Sequence, residues 1–194
     1  MTLLKRGFAV PSSPTMTIQF CERWLQKAAE YDDQTLIGAF DKFFSLFVAF
    51  NRLYSHICIQ SGRTIKGDRK QATNGFANIV GTQRLVEALD NGGSQDVTIL
   101  GDLIQPGGSF YLISDWDSGQ PDVARNRQLY EQLRGPNPAN RARAVLKYLY
   151  LIRCNMFHGS KDFDNKQLEI IRPATRCLER IVRAGLRFMR NNAV

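Results

Sequence analysis

Between residues 165 and 191 arginine recurs every three or four positions. Arg172, Arg176, Arg180, Arg183, Arg187 and Arg190 are spaced 4, 4, 3, 4 and 3 apart. At about 100° per residue all of them fall within roughly 80° of a helical wheel. The opposite side carries Ile170, Ala174, Cys177, Leu178, Ile181, Val182 and Phe188. The pattern predicts one long amphipathic helix whose apolar side packs on a bundle and whose other side presents guanidinium groups. Between Arg172 and Arg190 the only acid is Glu179. A face made for solubility alone would mix signs, because like charges at this spacing repel. The arginines either pair with acids of other helices across the edge of the core, or hold phosphates or an acidic partner protein.

The rest of the chain supplies the partners for that helix. Phe20, Trp24, Leu25 and Ala28 predict a helix over about 17–31. Phe40, Phe43, Phe44, Phe47, Phe50, Leu53, Tyr54 and Ile57 give a wide aromatic face to a second helix over 33–60, closed by Gly62. Residues 61–71 read as a loop, 73–89 as a shorter helix, and 94–121, with Pro106-Gly107-Gly108 and Ser118-Gly119-Gln120-Pro121, as a loop-rich tract. A short helix over 122–133 precedes Gly135-Pro136, and a long one over 140–158 has Asn140 as its expected N-cap. The expectation is an all-α fold: one domain over 1–194, an up-and-down helical bundle of four to five main helices with a loop-rich insertion at about 61–135.

Composition narrows the classes. With 43% hydrophobic residues the chain can pack a core and is not disordered. Cys21, Cys58, Cys154 and Cys177 are far apart with no Cys-x-x-Cys pair, so neither a zinc pattern nor any other metal site or cofactor is expected. They read as small buried residues of a reducing, cytoplasmic compartment. Residues 1–16 have no long apolar core, and the run near Phe43–Phe50 is too short and interrupted to cross a bilayer, so no signal, anchor or membrane span is expected. The formal net charge of +8 favours an anionic partner, of which nucleic acid is the commonest.

The candidate chemistry lies at the end of the 140–158 helix, in Tyr148-Leu-Tyr-Leu-Ile-Arg-Cys-Asn-Met-Phe-His-Gly159. Arg153 is a permanent cation suited to phosphate, and His158 can exchange a proton near neutral pH. The only other histidine is His56. On a straight helix Asn155 and His158 share a face, while Arg153 lies about 140° away. Gly159 can end the helix at His158, and a helix C-terminus favours an imidazolium. Attack on a phosphodiester by the RNA's own 2′-hydroxyl ideally uses a base, an acid and a cation over the phosphate. One chain offers one suitable histidine, so a two-fold dimer bringing two motifs face to face would complete the set.

Arg153-Cys-Asn-Met-Phe-His-Gly-Ser-Lys161, on the third long helix, resembles the R-x4-6-H signature of the HEPN superfamily. Phe43–Tyr54 is similar to the second-helix pattern of some bacterial members, and Tyr148–Ile152 before the motif extends the likeness. The resemblance implies a dimeric all-α domain that cleaves RNA without metal, in toxin–antitoxin or antiviral defence. It implies Arg153 and His158 as the active pair, with Asn155 beside them and Lys161 as a further phosphate contact. An antitoxin or a nucleotidyltransferase is the implied partner protein. Many active members carry a polar residue directly after the arginine, where this chain has Cys154. The alternative is a non-catalytic module of the same fold that binds nucleic acid or a partner protein.

Overall fold

The computed structural model describes residues 13–92, 94–108, 110–115, 117–157 and 165–192. Helix α1 (Pro14–Ala29) begins at Ser13, whose Oγ accepts from the Met16 amide at 3.2 Å, with Pro14 at the first position, where no N–H is needed. Helix α2 (Leu36–Gln60) begins at Thr35, whose Oγ1 accepts from the Gly38 amide at 3.1 Å. It ends at Ser61, and Gly62 follows at φ 67°, the left-handed conformation that a C-terminal glycine supplies.

The tract expected to be mostly loop is helical over much of its length. Helix α3 (Asp68–Lys70) runs through a wide π turn (Gln71–Gly75) into α4 (Phe76–Val80). The single helix expected over 73–89 is broken at Gly81, whose φ of 97° only glycine adopts without strain; α5 (Thr82–Asp90) starts beyond it. A further helix, α6 (Ser94–Leu103), occupies the start of the expected loop and buries Val97 and Leu100.

The described residues between 104 and 122 are irregular, with one antiparallel bridge between Ser114 and Pro121. Buried Asn126 organises this stretch. Its Oδ1 accepts from the Leu112 and Ile113 amides at 2.9 and 3.0 Å, and its Nδ2 donates to the Ile113 carbonyl at 2.6 Å. These bonds satisfy loop backbone that would otherwise be buried unpaired.

Helix α7 (Val123–Arg134) is capped by Asp122, and α8 (Pro138–Phe157) starts before the expected Asn140. Asn137 takes the capping role instead, its Oδ1 accepting from the Asn140 amide at 3.1 Å. A 3-10 turn (Asn165–Gln167) leads into α9 (Leu168–Asn192).

The fold is all-α. Helix α2 packs against α1 and against α9, and α8 packs on α5 and α7. Phe76, Leu85, Leu89, Leu100 and Leu129, all from the expected insertion, are fully buried in the same continuous apolar cluster as Phe50 and Leu178. The short helices of 61–135 therefore build the core rather than loop away from it. Phe50 sits edge-on to both Tyr54 and Phe76, with ring centroids 5.1 Å apart in each case.

Where α9 crosses this cluster the residue is Gly185. A Cβ there would stand 2.6 Å from Leu53 Cδ2 and 2.9 Å from Phe76 Cζ. Both contacts are side-chain tips, and both residues are fully buried, so an added methyl has to shift packed core. Gly185→Ala is accordingly expected to destabilise the fold by about 1–3 kcal/mol, the usual cost of overpacking. Denaturant unfolding reads this directly, and a variant as stable as the parent would contradict the close crossing.

Candidate functional site

The last turns of α8 carry Arg153. Its guanidinium lies 5.9 Å from the ring centroids of both Phe47 and Tyr150, within cation–π range. Nη1 also reaches Cys154 Sγ at 4.0 Å. The ring of Tyr150 is itself held, because its hydroxyl donates to Asp68 Oδ2 at 2.9 Å while Tyr54 donates to Asp68 Oδ1 at 2.5 Å. Burial first, and then the bond to Asp68, push the Tyr150 phenol up to about 12 and raise that of Tyr54 as well. Both remain hydrogen-bond donors at neutral pH. The arginine is thus set on a framework anchored at the start of α3.

Asn155, two positions after the arginine, is hydrogen-bonded within the protein. Its Nδ2 donates to the Leu112 carbonyl at 3.0 Å, pinning α8 to the irregular stretch that Asn126 holds from α7. His158 and Lys161 lie outside the described residues.

The arginine row of α9 is largely tied into the protein's own structure. Arg172 donates from Nε to the Asp33 carbonyl at 2.6 Å and from Nη2 to the Gln34 carbonyl at 2.7 Å, fixing the α1–α2 turn. Arg176 and Arg180 share the buried carboxylate of Asp96 on α6, at 2.7 and 2.6 Å. Arg180 Nη2 also donates to the Gly92 carbonyl at 2.7 Å. Arg183 pairs with Glu179 at 2.6 Å one turn away, and Arg190 pairs with Glu22 of α1. Arg187 is exposed on the same side of the helix. Arg172, Arg176, Arg180 and Arg190 thus tie α9 to other parts of the protein.

His56 is a core residue. It is 7% exposed, and its Nδ1 lies 3.1 Å from Thr17 Oγ1. Burial first, then the nearby Arg52 charge, lower its pKa below the ordinary 6.5. The unfolded chain therefore takes up this proton at a higher pH than the folded protein does. The stability tied to neutral His56 is complete above about pH 6.5 and is lost as pH falls from there through the lower folded value. In denaturation series between pH 7 and pH 5, His56→Gln should lose stability less steeply than the parent. Identical slopes would show that His56 carries no such linkage.

Sequence reasoning missed a second cationic region. A cleft of about 590 Å³ opens between α3, the π turn, α7 and α8. Arg69, Lys70, Arg125, Arg143 and Lys147 line it, and among the described residues that line it there is no carboxylate. The signal was faint: Arg143 and Lys147 are four apart on one helix face, but Arg69, Lys70 and Arg125 come from segments read as loop or short helix.

Burial pushes the thiols of Cys21 and Cys177 up to about 12 and that of Cys58 up to about 11, which keeps them unreactive. Among the described residues no cluster of three His, Cys, Asp or Glu could hold a metal ion, and no helix is long and apolar enough to cross a membrane. Comparison with known proteins gave no matching family model, no matching curated protein and no matching solved structure.

Proposed function

We propose that the chain is a HEPN-like, metal-independent endoribonuclease of the toxin or antiviral-defence type, acting in the cytoplasm. In this reading α1, α2, α8 and α9 are the main helices of the bundle. Arg153 and His158 of two copies meet across a two-fold cleft, one histidine as base and the other as acid, with the arginines over the phosphate. An antitoxin or a nucleotidyltransferase would restrain the dimer in the cell.

The observation that carries the reading is the division between the two histidines. His56 is committed to Thr17 in the core, so acid–base chemistry at neutral pH falls to His158, which follows Arg153 by five positions. The setting of Arg153 adds to it. The guanidinium rests against two rings, and Phe44, 42% exposed, with Met156 offers apolar surface near the same end of α8 for a second copy.

Two observations favour the non-catalytic alternative, in which the same fold binds RNA or a partner protein without cutting. The amide of Asn155 is engaged with Leu112, and the place after Arg153 is filled by a thiol.

Cleavage of a mixed RNA pool in excess EDTA separates the two. The ribonuclease leaves 2′,3′-cyclic phosphate ends, and Arg153→Ala or His158→Ala each lowers the rate by about 100-fold or more, the scale of a lost general acid–base or charge-stabilising group. Undiminished cutting by His158→Ala, or RNA bound but uncut by the parent protein, would sink the catalytic reading.

A further inference from the structure

The cleft between α3, the π turn, α7 and α8 has no role in the reading above. Its cations come from three separate helices: Arg69 and Lys70 from α3, Arg125 from α7, Arg143 and Lys147 from α8. Like charges gathered from distant parts of a chain repel, so this arrangement works against folding unless an anion answers it. Lys147 records that cost. Burial, then the charges of Arg69 and Arg125, press its pKa below the ordinary lysine value.

Compensation inside the protein is slight. Arg125 meets Asp122 at 3.2 Å, but its side chain is 69% exposed, so that pair is worth little. Arg143 Nη2 donates to the neutral amide of Asn78 at 3.0 Å. The contrast with α9 is direct, since there Arg176 and Arg180 share a buried carboxylate.

The floor of the cleft is a π turn, a rare form often kept at functional sites. Thr73 of that turn faces the cleft, along with amide side chains such as Gln128. Among the described residues that line it none is aromatic, and the apolar ones are Ile113 and Leu151. Backbone phosphates and 2′-hydroxyls need only cations and hydrogen-bonding groups, which this lining supplies, whereas platforms for unpaired bases are built chiefly from aromatic rings.

We propose that this cleft, rather than the arginine row of α9, seats the phosphate backbone of base-paired RNA. The inference deepens the ribonuclease reading by naming the surface that carries the substrate, and rests on that reading for RNA as the polyanion. Helix α3 links the two regions, because Asp68 holds Tyr150 beside Arg153 while the next two residues line the cleft.

The test uses the full chain carrying His158→Ala, so that bound RNA stays whole. Fluorescence anisotropy of a labelled duplex of about 16 base pairs, a length one double-stranded-RNA module can span, is followed from about 50 to 200 mM salt. Combined Arg125→Gln, Arg143→Gln and Lys147→Gln should weaken binding at least about tenfold at 100 mM salt. The slope of log affinity against log salt should shrink by roughly two to three. The exposed pair Arg69→Gln and Lys70→Gln gives the same reading should the triple variant fail to fold, with a slope loss of about two.

Arg23→Gln with Lys27→Gln, on α1, controls for net charge and should leave binding near the parent value. Parental affinity and slope in both cleft variants would overturn the proposal, as would an equal loss in the α1 control. A nucleoside triphosphate that binds in the cleft while duplex RNA does not would also overturn it, assigning the cations to a free phosphate ligand. Binding lost only in the cleft variants supports the proposal whether or not the parent cuts RNA. Failure to cut counts against the ribonuclease alone.

Discussion

The closeness of α2 and α9 governs the rest of the molecule. Gly185 lets the α9 backbone come down onto Leu53 and Phe76, with no space for even one methyl group. That contact brings a helix with arginines along one side against the central aromatic helix. It fixes the height at which each arginine meets its surroundings, so Arg172 reaches the α1–α2 turn and Arg176 and Arg180 converge on Asp96. Phe76 belongs to the segment after the π turn, so the same crossing also holds the floor of the basic cleft in place.

The positive charge of the chain divides into two populations. The α9 arginines are mostly neutralised or hydrogen-bonded within the protein, which suits a helix that clasps α1, α6 and the α1–α2 turn. Among the described residues the cleft cations have no comparable buried carboxylate, and Lys147 is held among like charges. A buried carboxylate shared by two arginines is costly to break, whereas an exposed cluster of cations is answered by whatever anion arrives. Arg153 belongs to neither group. It lies against Phe47 and Tyr150, in an aromatic setting that orients the guanidinium.

How much of this was legible depended on range. The aromatic face of α2 and the arginine row of α9 lie on helices of 25 residues each, long enough for helical periodicity to declare itself. The stop at Gly62 was legible because a left-handed cap is a local event. Helix α6 was not, for it has ten residues and few apolar ones among turn-forming neighbours. The role of Asn126 was hidden because its partners are loop amides 13 and 14 residues away. The fate of Arg176 turned on Asp96, 80 residues away in sequence, and only the tertiary fold brings them together. For the same reason the bond from Asn155 to the Leu112 carbonyl, 43 residues away, was not legible.

Amide hydrogen exchange on the His158→Ala protein, with and without duplex RNA, tests the division of charge most directly. The account predicts that RNA slows exchange in the π turn, in the first half of α7 and along α8, while α9 from Arg176 to Arg190 exchanges as in the free protein. Protection concentrated on α9, with the α7–α8 region unchanged, would contradict it.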